Sequence, residues 1–208
     1  NNLQPAVCDI NQQGMVLEFD ALHDERENFN ARLVHCNHNW TPSDLQDLDF
    51  MNEYNEFIIS NFRFSVDTQI PYVHYTLPIP IVKYPGNYLV VVYREGDKND
   101  ILLSKRFMIY DSQVSFTKTD NLINSGSIAR LNQQINFTVN YKNIDLLNPM
   151  DNVWVVIRQN QRWDNLSGDI KPTFMRDFQK ELDYQFFDDK KMFKGGNEFR
   201  FFDLRSLM

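Results

Sequence analysis

Four histidines and two cysteines are the residues best suited to ligation or nucleophilic chemistry in this 208-residue chain. His35-Cys36-Asn37-His38 gathers three of them. On a strand, His35 and Cys36 project to opposite faces, so one ion could not take both without a bulge. No second Cys or His pair stands at a zinc-like spacing. A strand end entering a polar turn is the expected role. His74 stands among Tyr72, Val73 and Tyr75. A catalytic base there needs a nucleophile and an orienting carboxylate, and the chain has no Gly-x-Ser-x-Gly elbow. Two acidic pairs, Asp24 with Glu25 and Asp188 with Asp189, could cleave a glycoside only by flanking a sugar. In polar turns such pairs read as solvated surface. No glycine-rich phosphate loop occurs. The expectation is no catalytic, cofactor or metal site.

The stretch Gln159-Asn160-Gln161-Arg162-Trp163-Asp164-Asn165 mixes amides with Arg and Trp, two types enriched at protein interfaces. Gln159, Asn160, Arg162, Trp163 and Asp164 are therefore the candidate partner contacts. A competing reading is a long hairpin loop pinned by Trp163 folding back on its sheet, and the two roles are compatible. Asn136-Phe137-Thr138 and Asn165-Leu166-Ser167 match a glycosylation acceptor pattern.

The elements that must carry these residues are strands. Residues 86–93 place Leu89, Val91 and Tyr93 on one face and Tyr88, Val90 and Val92 on the other, the pattern of a strand buried between layers. Gly96-Asp97-Lys98-Asn99-Asp100 connects it to a return strand at 101–110 as a hairpin. Other strand-like runs are 15–21, 28–37, 56–65 and 72–77. In the second of these Phe29, Ala31 and Leu33 face one way and Asn30 and Arg32 the other. A short helical turn is expected with Thr41 as N-cap and Pro42 at its first position, giving a small face of Leu45 and Leu48. Pro71, Pro78, Pro80 and Pro85 predict an edge strand or an extended crossing segment. A boundary falls near 111–113, and a second series follows at 114–119, 134–142, 152–160, 182–187 and 198–204. Trp154 and Val156 opposite Val153, Val155 and Ile157 predict a central strand there. The fold expectation is all-β: two consecutive antiparallel β-sandwich, immunoglobulin-like domains, 1–112 and 113–208, with few short helical turns.

Seventeen Phe, nine Tyr and only seven Gly suit aromatic-rich packed strands. The net charge of −7 argues against nucleic acid, whose binding rests on clustered Lys and Arg. No apolar run approaches the roughly 18 residues of a membrane-spanning helix. Asn1-Asn2-Leu3-Gln4-Pro5 shows neither a basic nor an apolar leader region, which leaves a removed signal peptide open. Residues 198–204 read as a strand awaiting a partner, so the 208 residues are expected to be part of a longer protein. Cys8 and Cys36 could bridge two early strands or remain reduced; their spacing leaves both open.

Several segments together resemble a known family. They are Leu17-Glu18-Phe19-Asp20-Ala21-Leu22, and His35-Cys36-Asn37-His38-Asn39-Trp40-Thr41-Pro42-Ser43-Asp44-Leu45. Ser65-Val66-Asp67-Thr68, Tyr72-Val73-His74-Tyr75, Gly86-Asn87-Tyr88 and Arg106-Phe107 follow. In the second half come the 159–165 stretch and Gly196-Asn197-Glu198-Phe199-Arg200-Phe201-Phe202-Asp203. In this order they resemble the plug proteins of the Bacteroidota type IX secretion translocon, with Pro85 departing from the Ser common in the family. The resemblance implies a non-enzymatic periplasmic protein at the inner face of the outer membrane. Its implied partner is the giant SprA-type β-barrel, whose pore it closes, with a PorV-type shuttle protein involved indirectly. The rival reading from the residues is an extracytoplasmic carbohydrate-binding or accessory β-sandwich module; a hydrolase using His74 or an acidic pair ranks below it.

Overall fold

In the computed structural model, residues 5–118, 132–133, 135–185 and 193–194 are described. The chain divides into two units, Asn1–Ser112 and Gln113–Met208. The first unit contains β1 (Ala6–Asp9), β2 (Val16–Ala21), β3 (Phe29–Cys36), α1 (Asp47–Phe50), β4 (Phe57–Ile58), β5 (Asn61–Phe64), β6 (Val73–Pro78), β7 (Gly86–Arg94) and β8 (Ile101–Tyr110). One sheet has the order β1-β8-β7-β3-β4 and the other β2-β6-β5. The protein is all-β with few helical turns, as the alternation predicts.

Period-two patterning builds the core. Phe29, Ala31 and Leu33 of β3 and Tyr88, Val90 and Val92 of β7 are buried with Phe107 and Ile109 of β8. They pack against Val73, Tyr75 and Leu77 of the second sheet. The opposite face of β7 is covered too: Val91 and Tyr93 are buried. The Tyr93 hydroxyl donates to Glu56 Oε1 at 2.9 Å. A register shift lies between Val92, opposite Leu103, and Tyr93, opposite Ile101. That bulge carries Ile101 out of the core line, and it is exposed.

Four local expectations are corrected. The 56–65 run divides, β4 pairing with β3 in one sheet and β5 with β6 in the other. Between them Ile59 is buried, and its N–H donates to the Phe29 carbonyl at 2.9 Å. The helical turn starts later than Thr41, because Pro42 pairs with Cys36 and the Thr41 carbonyl accepts from the Asn37 N–H. Gln46 caps α1 instead, its N–H donating to Asp49 Oδ2 at 2.7 Å. Phe50 and Met51 are buried there while Leu45 and Leu48 are exposed. The edge-strand alternative for the prolines fails, since β6 lies between β2 and β5 and Pro78 occupies its last position, where the ladder ends; Pro80 and Pro85 do fall in the segment that crosses from β6 to β7 of the other sheet. Finally, β1 runs parallel to β8. It continues through a 3-10 turn (Ile10–Gln12) into β2 of the opposite sheet, so no hairpin fixes its direction.

The second unit contains β9 (Ser115–Lys118), β10 (Asn132–Gln133), β11 (Phe137–Asn140), α2 (Pro149–Asn152), β12 (Val155–Arg158), β13 (Leu166–Ile170), β14 (Phe174–Arg176), β15 (Glu181–Tyr184) and β16 (Phe193–Lys194). One sheet has the order β14-β15-β11-β9; β12 pairs with β13, and β10 with β16. Phe137, Val139, Tyr141, Ile170, Leu182 and Tyr184 form its core. Phe137 stacks on Tyr184 with ring centroids 4.7 Å apart. Among the described residues β12 has one neighbour, so it is not the central strand its two-sided pattern predicts. Its inward Val155 and Ile157 pack on the core while Trp154 and Val156 are exposed. The expected strand at 198–204 lies outside the described residues.

Asn55 supplies a piece of ladder that β4 is too short to provide. Its Oδ1 accepts from the Leu33 N–H at 2.8 Å and its Nδ2 donates to the Leu33 carbonyl at 2.7 Å, in a buried site. Asn55→Ala would strand both groups, and each buried orphan costs about 1–3 kcal/mol. Urea unfolding is therefore expected to show a loss of about 2–4 kcal/mol at unchanged m. A loss near zero would contradict this role.

Candidate interaction site

The 159–165 loop closes the β12–β13 hairpin beyond the Arg158–Leu166 pair. The Gln159 N–H donates to the Asn165 carbonyl at 3.3 Å, and the Arg162 N–H to the Gln159 carbonyl at 3.0 Å. Asn160 takes the left-handed conformation (φ 50°), which asparagine tolerates better than most residues. The Gln159 side chain ties the loop on two sides. Its Nε2 donates to the Lys194 carbonyl at 2.7 Å, and its Oε1 accepts from Asn165 Nδ2 at 2.6 Å. Arg162 forks onto Asp164, Nε to Oδ1 at 3.0 Å, and this bond holds the Asp164 carboxyl below the usual carboxylate range. The Arg158 guanidinium lies 4.2 Å from the centre of the half-buried Trp163 ring.

All five candidates thus sit on one loop. Trp163 packs under Arg158, while Asn160, Arg162 and Asp164 are exposed. Arg158 is the member that sequence reading leaves out; the signal was a cation at the hairpin mouth, five residues before Trp163. The arrangement offers a braced surface of an aromatic stacked on one guanidinium beside an ion pair. Such a surface suits recognition.

The motif segments of the first unit converge at one corner. His35 Nδ1 lies 2.7 Å from Ser43 Oγ, and its ring meets Tyr88 edge-on at 5.0 Å. A Cβ on Gly86 would come within 2.5 Å of His35 Nε2, so only glycine allows this approach. Asn87 Nδ2 donates to the Asn37 carbonyl at 3.1 Å, and Asn37 Nδ2 to Thr41 Oγ1 at 3.1 Å. Trp40, at φ 68°, carries the Arg106 guanidinium 4.7 Å above its ring. These residues hold the 36–43 turn onto the β7–β8 hairpin.

The remaining candidates resolve separately. His74 Nδ1 lies 2.7 Å from Asp20 Oδ1, its cross-strand neighbour, as a hydrogen-bonded structural histidine should. Cys8 and Cys36 are both free. Strands β8 and β7 lie between theirs, a separation of roughly 14 Å at ~4.8 Å per strand, twice the reach of a disulfide. Asn136 is buried, and the Asn165 amide is committed to Gln159, so neither sequon presents a free asparagine. No cluster of three or more His, Cys, Asp or Glu able to hold a metal occurs among the described residues. No helix among them is long and apolar enough to cross a membrane.

Residues 1–111 match the family described as type 9 secretion system plug protein, 1st domain. A hypothetical protein from Parabacteroides merdae, known from a crystal structure, is similar at 25% identity and a TM-score of 0.79. The similarity covers 96% of this chain but 51% of that one, so the chain spans about half the length of this relative. No curated protein matches. The chain belongs to the type 9 secretion system plug protein family, a family of secretion-system components.

Two measurements check the corner and the thiols. Burial lowers the His35 pKa below its ordinary 6.5, with a smaller opposing effect from the Pro85 carbonyl. The unfolded chain then binds this proton more readily. The stability His35 contributes is complete above pH 6.5 and is lost as pH falls through the lowered folded value. NMR titration is expected to give a His35 midpoint below 6.5, and His35→Gln to flatten the acid limb of stability. A midpoint above 6.5 would reverse the assignment. Thiol titration of the unfolded, unreduced protein is expected to find both cysteines free.

Proposed function

We propose that this member of the type IX secretion plug family is a periplasmic, non-enzymatic plug. In this reading it seats on the inner mouth of a giant SprA-type outer-membrane barrel and closes its pore. The match of residues 1–111 to the plug first domain carries the reading. A pore wide enough for folded proteins must be shut when no cargo fills it. Shape and a stable seat suffice for that, and packed all-β units provide both without a catalytic set. A PorV-type shuttle protein enters only indirectly, by covering the barrel's lateral gate when the plug leaves.

A removable plug needs contacts that release. An interface of about 1,200–2,000 Å² with a polar rim meets that need better than an apolar seal. The net charge of −7 favours basic or polar surface at the barrel mouth. In the second unit, the 159–165 loop supplies the chemistry of a contact of this kind: Trp163 stacked under Arg158, flanked by the exposed Arg162 and Asp164.

The test is recovery of the barrel with tagged protein from gently solubilised envelopes. Wild-type protein is expected to bring down the barrel in near-equal amount. Arg162→Glu with Trp163→Ala is expected to cut recovery at least about ten-fold, the mark of a hot-spot pair. Equal recovery by a folded double variant would remove the loop from the interface. Failure of the wild-type protein to recover the barrel would overturn the function itself.

A further inference from the structure

Because the chain changes sheets at Ile59, β4 ends one sheet and β5 ends the other. Among the described residues β5 has β6 on one side and no strand on the other. The Ser65 N–H donates to the Tyr72 carbonyl at 2.9 Å, one step beyond the Phe64–Val73 pair. Bonding alternates along an antiparallel ladder. Arg63 and Asn61 therefore bond β6, while Phe62 and Phe64 turn their N–H and C=O groups to the open edge. No bond from a described residue reaches those outward groups. An edge of this kind is a template for one more strand.

The side chains at this edge are open to solvent as well. Phe64 shares the inward face with the buried Val73 opposite it, yet it is 53% exposed. The half-buried Phe62 meets it edge-on at 5.6 Å and carries the Arg26 guanidinium 4.6 Å from its ring centre. On the outward face Arg63 is exposed and stands opposite His74, which is bonded to Asp20. Among the described residues neither Arg63 nor Arg26 forms an ion pair, although the chain has a net charge of −7. A cavity of about 390 Å³ opens at the end of the strand pair, lined by Arg63, Phe64, Ser65, Val66, Tyr72 and His74. It leaves room for a side chain beside Arg63.

We propose that the β5 edge receives an extended acidic segment of a partner protein as a further strand. Its main chain pairs with Phe62 and Phe64, its apolar side chains cover those two rings, and an Asp or Glu between them reaches the Arg63 guanidinium. Three features select this occupant. The outward N–H and C=O groups call for a polypeptide, and the uncovered Phe64 calls for apolar residues at alternate positions. The exposed guanidinia of Arg63 and Arg26 call for carboxylates on the incoming strand. A second copy paired about Arg63 would set two guanidinia face to face, which is unfavourable. The site lies in the first unit and does not depend on the barrel reading above.

The probe is an N-acetylated, C-amidated peptide of three Glu-Val repeats, added to the protein while NMR follows amide hydrogen exchange. The Phe62 and Phe64 N–H groups are expected to exchange freely in the protein alone and to slow about ten-fold or more at saturating peptide. Ladder geometry also says which peptide groups matter, because the Val amides face β5 and the Glu amides face away. N-methylation of the Val residues is expected to abolish the protection, and N-methylation of the Glu residues to leave it in place. Arg63→Glu, at an exposed position, is expected to weaken binding about five-fold or more. Slow exchange at Phe62 and Phe64 without peptide, or protection that rises with protein concentration alone, would overturn the proposal. So would absence of protection by the peptide, or equal binding by the Val-methylated peptide or by folded Arg63→Glu.

Discussion

Three aromatic rings lock the two sheets of the first unit together. Phe19 and Tyr75, cross-strand neighbours on β2 and β6, stack at 5.1 Å with planes 12° apart. Phe29, from β3 of the opposite sheet, meets both edge-on, at 5.8 and 5.0 Å. This is the favoured geometry for ring quadrupoles, and truncating such a buried Phe typically costs about 3–5 kcal/mol. Tyr75 is fully buried, yet its hydroxyl is satisfied: it accepts from the Glu27 N–H at 2.9 Å and donates to the Glu27 carbonyl at 3.0 Å. One side chain thereby joins the sheets and fixes the crossover that delivers β3. The register of β3 then sets which residues face inward, and so where Arg32, His35 and Cys36 stand.

The family-like motif residues around the 36–43 turn are occupied with structure. His35, Asn37, Trp40, Ser43, Gly86, Asn87 and Arg106 bind one another at a single corner. Their hydrogen bonds and stacked rings leave little for a ligand. That corner is committed to structure, so recognition has to come from surfaces whose side chains are exposed. The 159–165 loop is of that kind, and it is braced from beneath by neighbours that keep it in shape.

Much of the architecture was legible because burial writes itself as period two. The β3 alternation and the two-sided β7 pattern both place residues where they lie. What escaped is non-local. Nothing in residues 56–65 announces that they change sheets at Ile59, since both halves alternate alike. Thr41 and Pro42 carry a sound helix-start signal, but a pairing with Cys36 outcompetes it. Two-sided apolarity made β12 look central; Lys171, 4.1 Å from the Trp154 ring, meets that outer face instead. The candidate loop was legible as a composition, Trp with Arg and amides, but its brace by Arg158 needed the hairpin to be closed.

Under the plug reading, this protein acts by occupying a pore. The most direct test of that reading is electrical. The purified barrel, reconstituted in a planar bilayer with its lateral gate open, would be measured for ion conductance while the protein is added to its periplasmic side. Conductance is expected to fall to near the bilayer background at about equimolar protein and to recover when the protein is washed out. Conductance that stays open while the protein is bound would contradict the account.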